Sequence, residues 1–505
     1  AGIPKEKTIS FAKVVLTSTI RKLKDLALSS EEISNAVGTA TEGAVASVTA
    51  NDLSASEGAG AAGDLAEASV NSLADLAIAK AVVVATVKKV SQRAVAALDE
   101  AAVGGSDLST AIENITSKSV KALRQGAGLA ETADLKEAAG AIAAGAVEGI
   151  KDAGVAEQDV ADSGIMETVM SGTISSLGDA GLDQEEIADA VGVITDKAVE
   201  SISRTNLSDD SQKKRAISRV IKGTMASVSR AGVADETLRK VAIGNVTKNA
   251  TAAIVRAGIQ GKDAISDVAA EISKTAIANV REAGINNSAD LEEITGTIAK
   301  ASVEAYSAFK DQGLINAEEL KADTEKLTNG VIAGFAEIDT TENFTGAVDI
   351  AQLATNATSS SLEGLVVKGA VSASDIDALQ EDLIRGAKDS LSDSGSLTEA
   401  ELDAFEQQAQ LETQEKVDLA VSVEDDAFAR CATAYPSTLT DAEFLQAITA
   451  ESGDVLCKKP VEARCPEPRT FDDYVYRFEG EPGVVLCSLE VFEKPTNPVS
   501  PRPPA

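Results

Sequence analysis

Residues 181–206 read GLDQEEIADAVGVITDKAVESISRTN, and the spacing inside this stretch decides the fold. Apolar side chains recur at Ile187, Val191, Ile194, Ala198, Val199 and Ile202, which places them on one face of an α-helix. Asp189, Asp196, Lys197 and Glu200 fall between them and can face water. Asp183, followed three residues later by Glu186, predicts a capping box, in which each side chain accepts from the other's backbone N–H. Arg204-Thr205-Asn206 turns the chain into the next unit.

The same unit recurs along most of the chain. Turns end in a branched apolar anchor at Leu28, Leu53, Ile78, Val103, Leu129, Val155, Leu182, Leu207, Val233, Ile259, Ile285 and Leu314, a period of about 26 residues. Each unit closes on a small–apolar–x–x–apolar motif, as in Ala94-Val95 with Leu98, Ala146-Val147 with Ile150 and Ala276-Ile277 with Val280. Units of this kind bury their apolar faces on their neighbours. The expected fold is therefore mainly α, an α-solenoid or a stack of antiparallel helices over residues 1–424, less regular after about residue 315. Gly38, Gly140, Gly192, Gly244 and Gly296 recur near mid-helix, which implies either a close helix crossing or a break in each unit. One helix per unit is the expected reading.

Composition narrows the function. Among 505 residues, 80 acidic side chains outnumber 46 basic ones, for a formal charge of −34. Such a chain repels nucleic acid, and its self-association should depend on salt or divalent cations. No stretch approaches the ~20 apolar residues of a membrane span; the run from Leu76 to Val87 is interrupted by Lys80. The numbering opens at Ala1 without an initiator Met, which suggests an exported chain, extracellular or at the cell surface, with its signal segment removed.

The composition changes near residue 425. All four cysteines (Cys431, Cys457, Cys465 and Cys487) and ten of the eleven prolines lie beyond it. Tyr474–Phe478 and Val484–Phe492 read as strands around a turn at Glu481-Pro482-Gly483. A small β-rich module stabilised by two disulfides is expected over 425–494, with the pairing left open, followed by an extended Pro-rich tail over 495–505. Paired C-x2-C zinc spacing is absent.

Catalytic chemistry finds little support. The chain has no histidine, hence no usual general base and no usual metal ligand. Residues 390–401 place Gly395 and Glu401 as a calcium loop would, but serines stand where carboxylates belong, and the stretch also fits the repeat. Seven N-x-S/T sequons match what a Ser- and Thr-rich chain gives by chance. No cofactor, metal or enzymatic activity is expected. The reading is an exported structural protein that self-assembles into a filament, sheath or surface layer. Phe11, Val14, Val15 and Ile20 near the start, and Tyr474, Tyr476, Phe478 and Phe492 in the terminal module, are the candidate subunit contacts. The alternative is a monomeric adhesin or binding scaffold that uses the terminal module as its recognition head.

Overall fold

A computed structural model describes residues 5–50, 53–98, 105–338, 344–345, 348–368, 370, 375–434, 475–479 and 486–490. Contacts divide the chain into two units, Ala1–Gln414 and Glu415–Ala505. The first is an array of helices: α1 (Lys5–Lys22), α2 (Ser30–Thr49), α3 (Ala55–Asn71), α4 (Lys80–Ala96), α5 (Gly105–Lys121) and α6 (Thr132–Asp152). It continues through α7 (Glu157–Asp162), α8 (Ile165–Ile174), α9 (Gln184–Ser201), α10 (Asp210–Val228), α11 (Glu236–Ala253) and α12 (Lys262–Ala278). The last members are α13 (Ser288–Asp311), α14 (Ala317–Phe335), α15 (Ile350–Val367), α16 (Ile376–Ser394) and α17 (Glu399–Ala434), whose helical backbone runs on past residue 414.

The two sequence landmarks prove to be halves of one device. Gly181 lies just before the anchor Leu182 and sits at φ 89°, a left-handed conformation that costs a residue with a Cβ about 1–2 kcal/mol. Its N–H bonds the Gly178 carbonyl at 2.9 Å, and the Leu182 N–H reaches back to the Leu177 carbonyl at 3.2 Å. This is a Schellman C-cap, in which an apolar residue after the left-handed turn packs on the last turn of the helix. Leu177 ends the closing motif and Leu182 is the anchor, so the motif and the anchor are the two sides of that contact. The same pair of bonds closes the units at Ile259, Ile285 and Leu314. At the other end of α2, α3, α9 and α14, capping boxes at Ser29, Ser54, Asp183 and Asn316 satisfy the first N–H groups.

The array is a two-layer solenoid. With α7 and α8 counted as one member, consecutive helices lie in opposite layers, and from α2 to α16 each packs most extensively on its neighbour in the same layer. One layer holds α2, α4, α6, α9, α11, α13 and α15; the other holds α1, α3, α5, the α7–α8 pair, α10, α12, α14 and α16. Same-layer neighbours run parallel: Gly145 and Gly149 of α6 lie against Lys88 and Gln92 of α4 at a constant offset. The sequence period of one helix thus doubles to a structural period of two. This is the solenoid rather than a simple antiparallel stack.

The recurrent glycines belong to close crossings and not to breaks. A Cβ at Gly192 would lie 2.7 Å from the Asn249 amide of α11, and one at Gly244 would lie 2.9 Å from Thr297 of α13. Gly38, Gly140, Gly192, Gly244 and Gly296 all sit in the same layer and face the following helix. One helix per unit is the rule. The exception is the unit after Val155, where Gly164 at φ 78° separates α7 from α8.

The core is aliphatic and thin, with Ile112, Leu135, Ile194, Val220 and Ile298 among its fully buried members. Buried hydroxyls join the layers: Thr41 meets Ser69 at 2.8 Å, Ser273 meets Ser302 at 2.7 Å, and Thr328 donates to Ser361 at 2.8 Å. Ion pairs join helices within a layer, for example Lys88–Glu148 at 2.8 Å, Arg219–Glu167 at 2.6 Å and Lys300–Glu363 at 2.7 Å. Most link residues 50 (Lys240–Asp290) to 63 (Lys300–Glu363) positions apart, which is one structural period.

In the second unit, the described backbone beyond residue 434 is an antiparallel pair of strands, β1 (Val475–Glu479) and β2 (Leu486–Glu490), with Val475 opposite Glu490. The β-rich module expected from residue 425 needs correcting at its start, because α17 carries helical backbone through Ala434. The side chains of Cys431 and Cys487, and all of Cys457 and Cys465, lie outside the described residues, and with them the expected disulfides. The expected 495–505 tail also lies outside them.

Candidate functional site

The most unusual surface of the array is its first end. α1 reads KEKTISFAKVVLTSTIRK, five basic residues against one acidic in a chain that is acidic overall. Its inner positions Leu16 and Ile20 are 2% and 0% exposed and anchor it in the core. Phe11, Val14 and Val15 stand 69%, 61% and 47% exposed. Three of the four N-terminal contact candidates are therefore on the surface. Ile20 is not: as the helical repeat brings it to the face that packs inward, it belongs to the core.

Val14 borders a groove of about 410 Å³ between α1 and α3, where Lys13, Thr17 and Arg21 face Glu67 and Asn71. Lys13 reaches Asp64 of α3 at 3.3 Å and Arg21 reaches Asp75, in the turn after α3, at 2.6 Å, so this side of α1 is held by charge to α3 and its following turn. Phe11 and Val15 lie one step round the helix, on the side turned away from α3. In the other layer, the matching side of α2 carries Gly43 and Ser47. A Cβ at Gly43 would meet nothing within 4 Å. Gly43 went unnoticed in the sequence because it looks like any other glycine. The signal was its register: Gly38 and Gly43 of α2 repeat the spacing of Gly140 and Gly145 of α6, and Gly145 is the position that receives the preceding helix.

The other candidates fall elsewhere. Tyr476 and Phe478 lie on β1, and their side chains are outside the described residues, as are Tyr474 and Phe492 entirely. The calcium-like stretch resolves into the repeat: Gly395 ends α16 at φ 65°, and Thr398 and Glu401 form a capping interaction, with the Thr398 N–H donating to Glu401 at 2.7 Å. Among the described residues, no three or more His, Cys, Asp or Glu side chains come together as a metal site, and no helix is long and apolar enough to cross a membrane.

The group that most resembles catalytic equipment is Tyr306, which donates to Asp323 at 2.7 Å. Burial pushes the Asp323 carboxyl above its usual range, and burial first, then the bond to Asp323, drives the Tyr306 phenol strongly upward. Tyr306 is fully buried and meets Phe309 edge-on at 5.4 Å. It fills the core where its neighbours use aliphatic residues, and it faces no substrate-sized opening. No family model matches the chain, and no curated protein is detectably similar to it.

Proposed function

We propose that this chain is an exported structural protein whose copies assemble into a filament, sheath or surface layer. The observation that carries the reading is the first end of the array. A self-contained solenoid closes with a polar outer face, whereas α1 turns Phe11, Val14 and Val15 to solvent. The long sides, built from one repeated helix pair, supply uniform surfaces for lateral contact. In this reading the chain from the end of α17 to residue 494 forms a disulfide-bonded, β-rich connector, and the connector or the 495–505 tail reaches a neighbouring copy. Divalent cations favour assembly by screening a charge of −34, and nucleic acid is not a partner.

Negative-stain electron microscopy with parallel sedimentation tests the reading. Regular filaments or sheets are expected. Removal of residues 495–505 should abolish them while leaving helical circular dichroism intact. Dispersed monomers at every salt and calcium concentration would overturn self-assembly. They would leave the adhesin reading, with residues 425–505 as the bait for a ligand.

A further inference from the structure

We infer that the first end of the solenoid is a docking face for the last helices of a second copy, so that copies stack head to tail as a continuation of the solenoid. The inference rests on the self-assembly reading but not on the tail as connector. Within the array, each helix offers one side to the same-layer helix before it and the adjacent side to the one after it. In α6 the side turned back carries Gly145 and Gly149, packed on the backbone of α4. In α2 the equivalent positions are Gly43 and Ser47, and a Cβ at Gly43 would enter open space. In the other layer Phe11 and Val15 of α1 occupy the corresponding side, 69% and 47% exposed. Two adjacent helices thus present the internal seating surface with no described helix upon it.

Charge identifies the occupant. Around the apolar stripe of α1 stand the exposed cations Lys7, Lys22 and Lys24. At the other end of the array, α16 exposes Asp377, Glu381, Asp389 and Asp393, and the first half of α17 exposes Leu411 at 74%. Although Lys22 pairs with Asp25 and α2 carries only acidic charge, α1 itself is basic and apolar, and it complements an acidic last end with its own exposed leucine. Like ends would repel or mismatch, so the contact is heterologous and propagates as an open chain. Ion pairing between stacked copies would repeat the pairing within a layer, such as Lys262–Glu319 at 2.7 Å.

Two blocked variants test this by sedimentation velocity. Gly43→Arg with Val15→Glu blocks the first end without intruding on the core. Leu411→Lys with Glu381→Lys blocks the last end. Each variant alone should sediment as a monomer, and an equal mixture should form a dimer of doubled mass, because each retains the face the other lacks. High salt should weaken that dimer. If the first-end variant polymerises like the parent chain, or if the mixture stays monomeric, head-to-tail stacking is wrong. A parent chain that never assembles would overturn the self-assembly reading as well. Polymers that survive both end variants but vanish on removal of 495–505 would overturn only the stacking contact.

Discussion

Ala77 holds φ 51° immediately before the anchor Ile78, at the place where seven other units use a left-handed glycine. A Cβ in that region costs about 1–2 kcal/mol. Ala77→Gly should therefore raise stability by roughly 1 kcal/mol despite the added freedom of the unfolded chain, as read from the denaturant midpoint. Helical glycines separate by what surrounds them. In isolation, exchanging Gly for Ala gains about 1 kcal/mol of helix propensity. At Gly43 the space is open, so Gly43→Ala should realise that gain. At Gly223 the new Cβ would sit 2.5 Å from the Glu167 backbone. Forcing α8 and α10 apart should make Gly223→Ala a net loss of about 1–2 kcal/mol. If both substitutions shift stability equally and in the same direction, the close crossing at Gly223 is wrong.

Helix starts carry the pH response. Glu186 is held below the ordinary glutamate range by the Thr132 hydroxyl and then by the Asp183 backbone N–H. Glu32, Glu319 and Glu401 are lowered in the same direction; backbone bonds from the cap dominate at Glu32 and Glu401, and Lys262 dominates at Glu319. A carboxyl depressed in the folded state contributes stability above its unfolded pKa and loses it as pH falls through the folded value. Unfolding midpoints should thus drop below the ordinary glutamate range. Glu186→Gln should flatten that acid limb and lower the neutral-pH midpoint. Asp323 works the other way, since burial raises its pKa and protonation relieves a cost present at neutral pH.

These elements also show how far the sequence could be read. Asp183 with Glu186, the anchor Leu182 and the closing motif before it are local patterns, and each became the predicted cap or turn, while the anchor Val103 lies outside the described residues. The pairing of each helix with the one two positions along was hidden, because a 26-residue period is equally consistent with a stack and with two alternating layers. At the candidate site, Phe11, Val14 and Val15 were legible as apolar residues. Only packing could separate them from Ile20, which lies on the same helix but faces inward.

Over the whole array, the structural unit is a pair of helices. Deleting residues 182–232, which removes α9 and α10 together, joins Gly181 to Val233 and preserves the alternation of layers. That chain should fold with proportionately less helix and still unfold cooperatively, as expected for a solenoid of nearest-neighbour contacts. Deleting 182–206 alone removes one layer's member and reverses the direction of everything after it. That chain should lose helical signal well beyond the deleted residues. Equal tolerance of both deletions, measured by circular dichroism and thermal unfolding, would contradict the two-layer arrangement.

The division of bonding has a mechanical consequence. Within each layer the helices are tied by close packing and by ion pairs at the surface such as Lys80–Asp134 and Lys262–Glu319, while the layers are tied to each other by apolar side chains and buried hydroxyls. Flexing the array toward one layer stretches the charged ties of the other and leaves the seam between them nearly unstrained. Exposed ion pairs weaken as salt screens them, whereas the apolar seam does not. The molecule therefore behaves as a beam whose seam keeps it intact and whose bending stiffness softens with ionic strength.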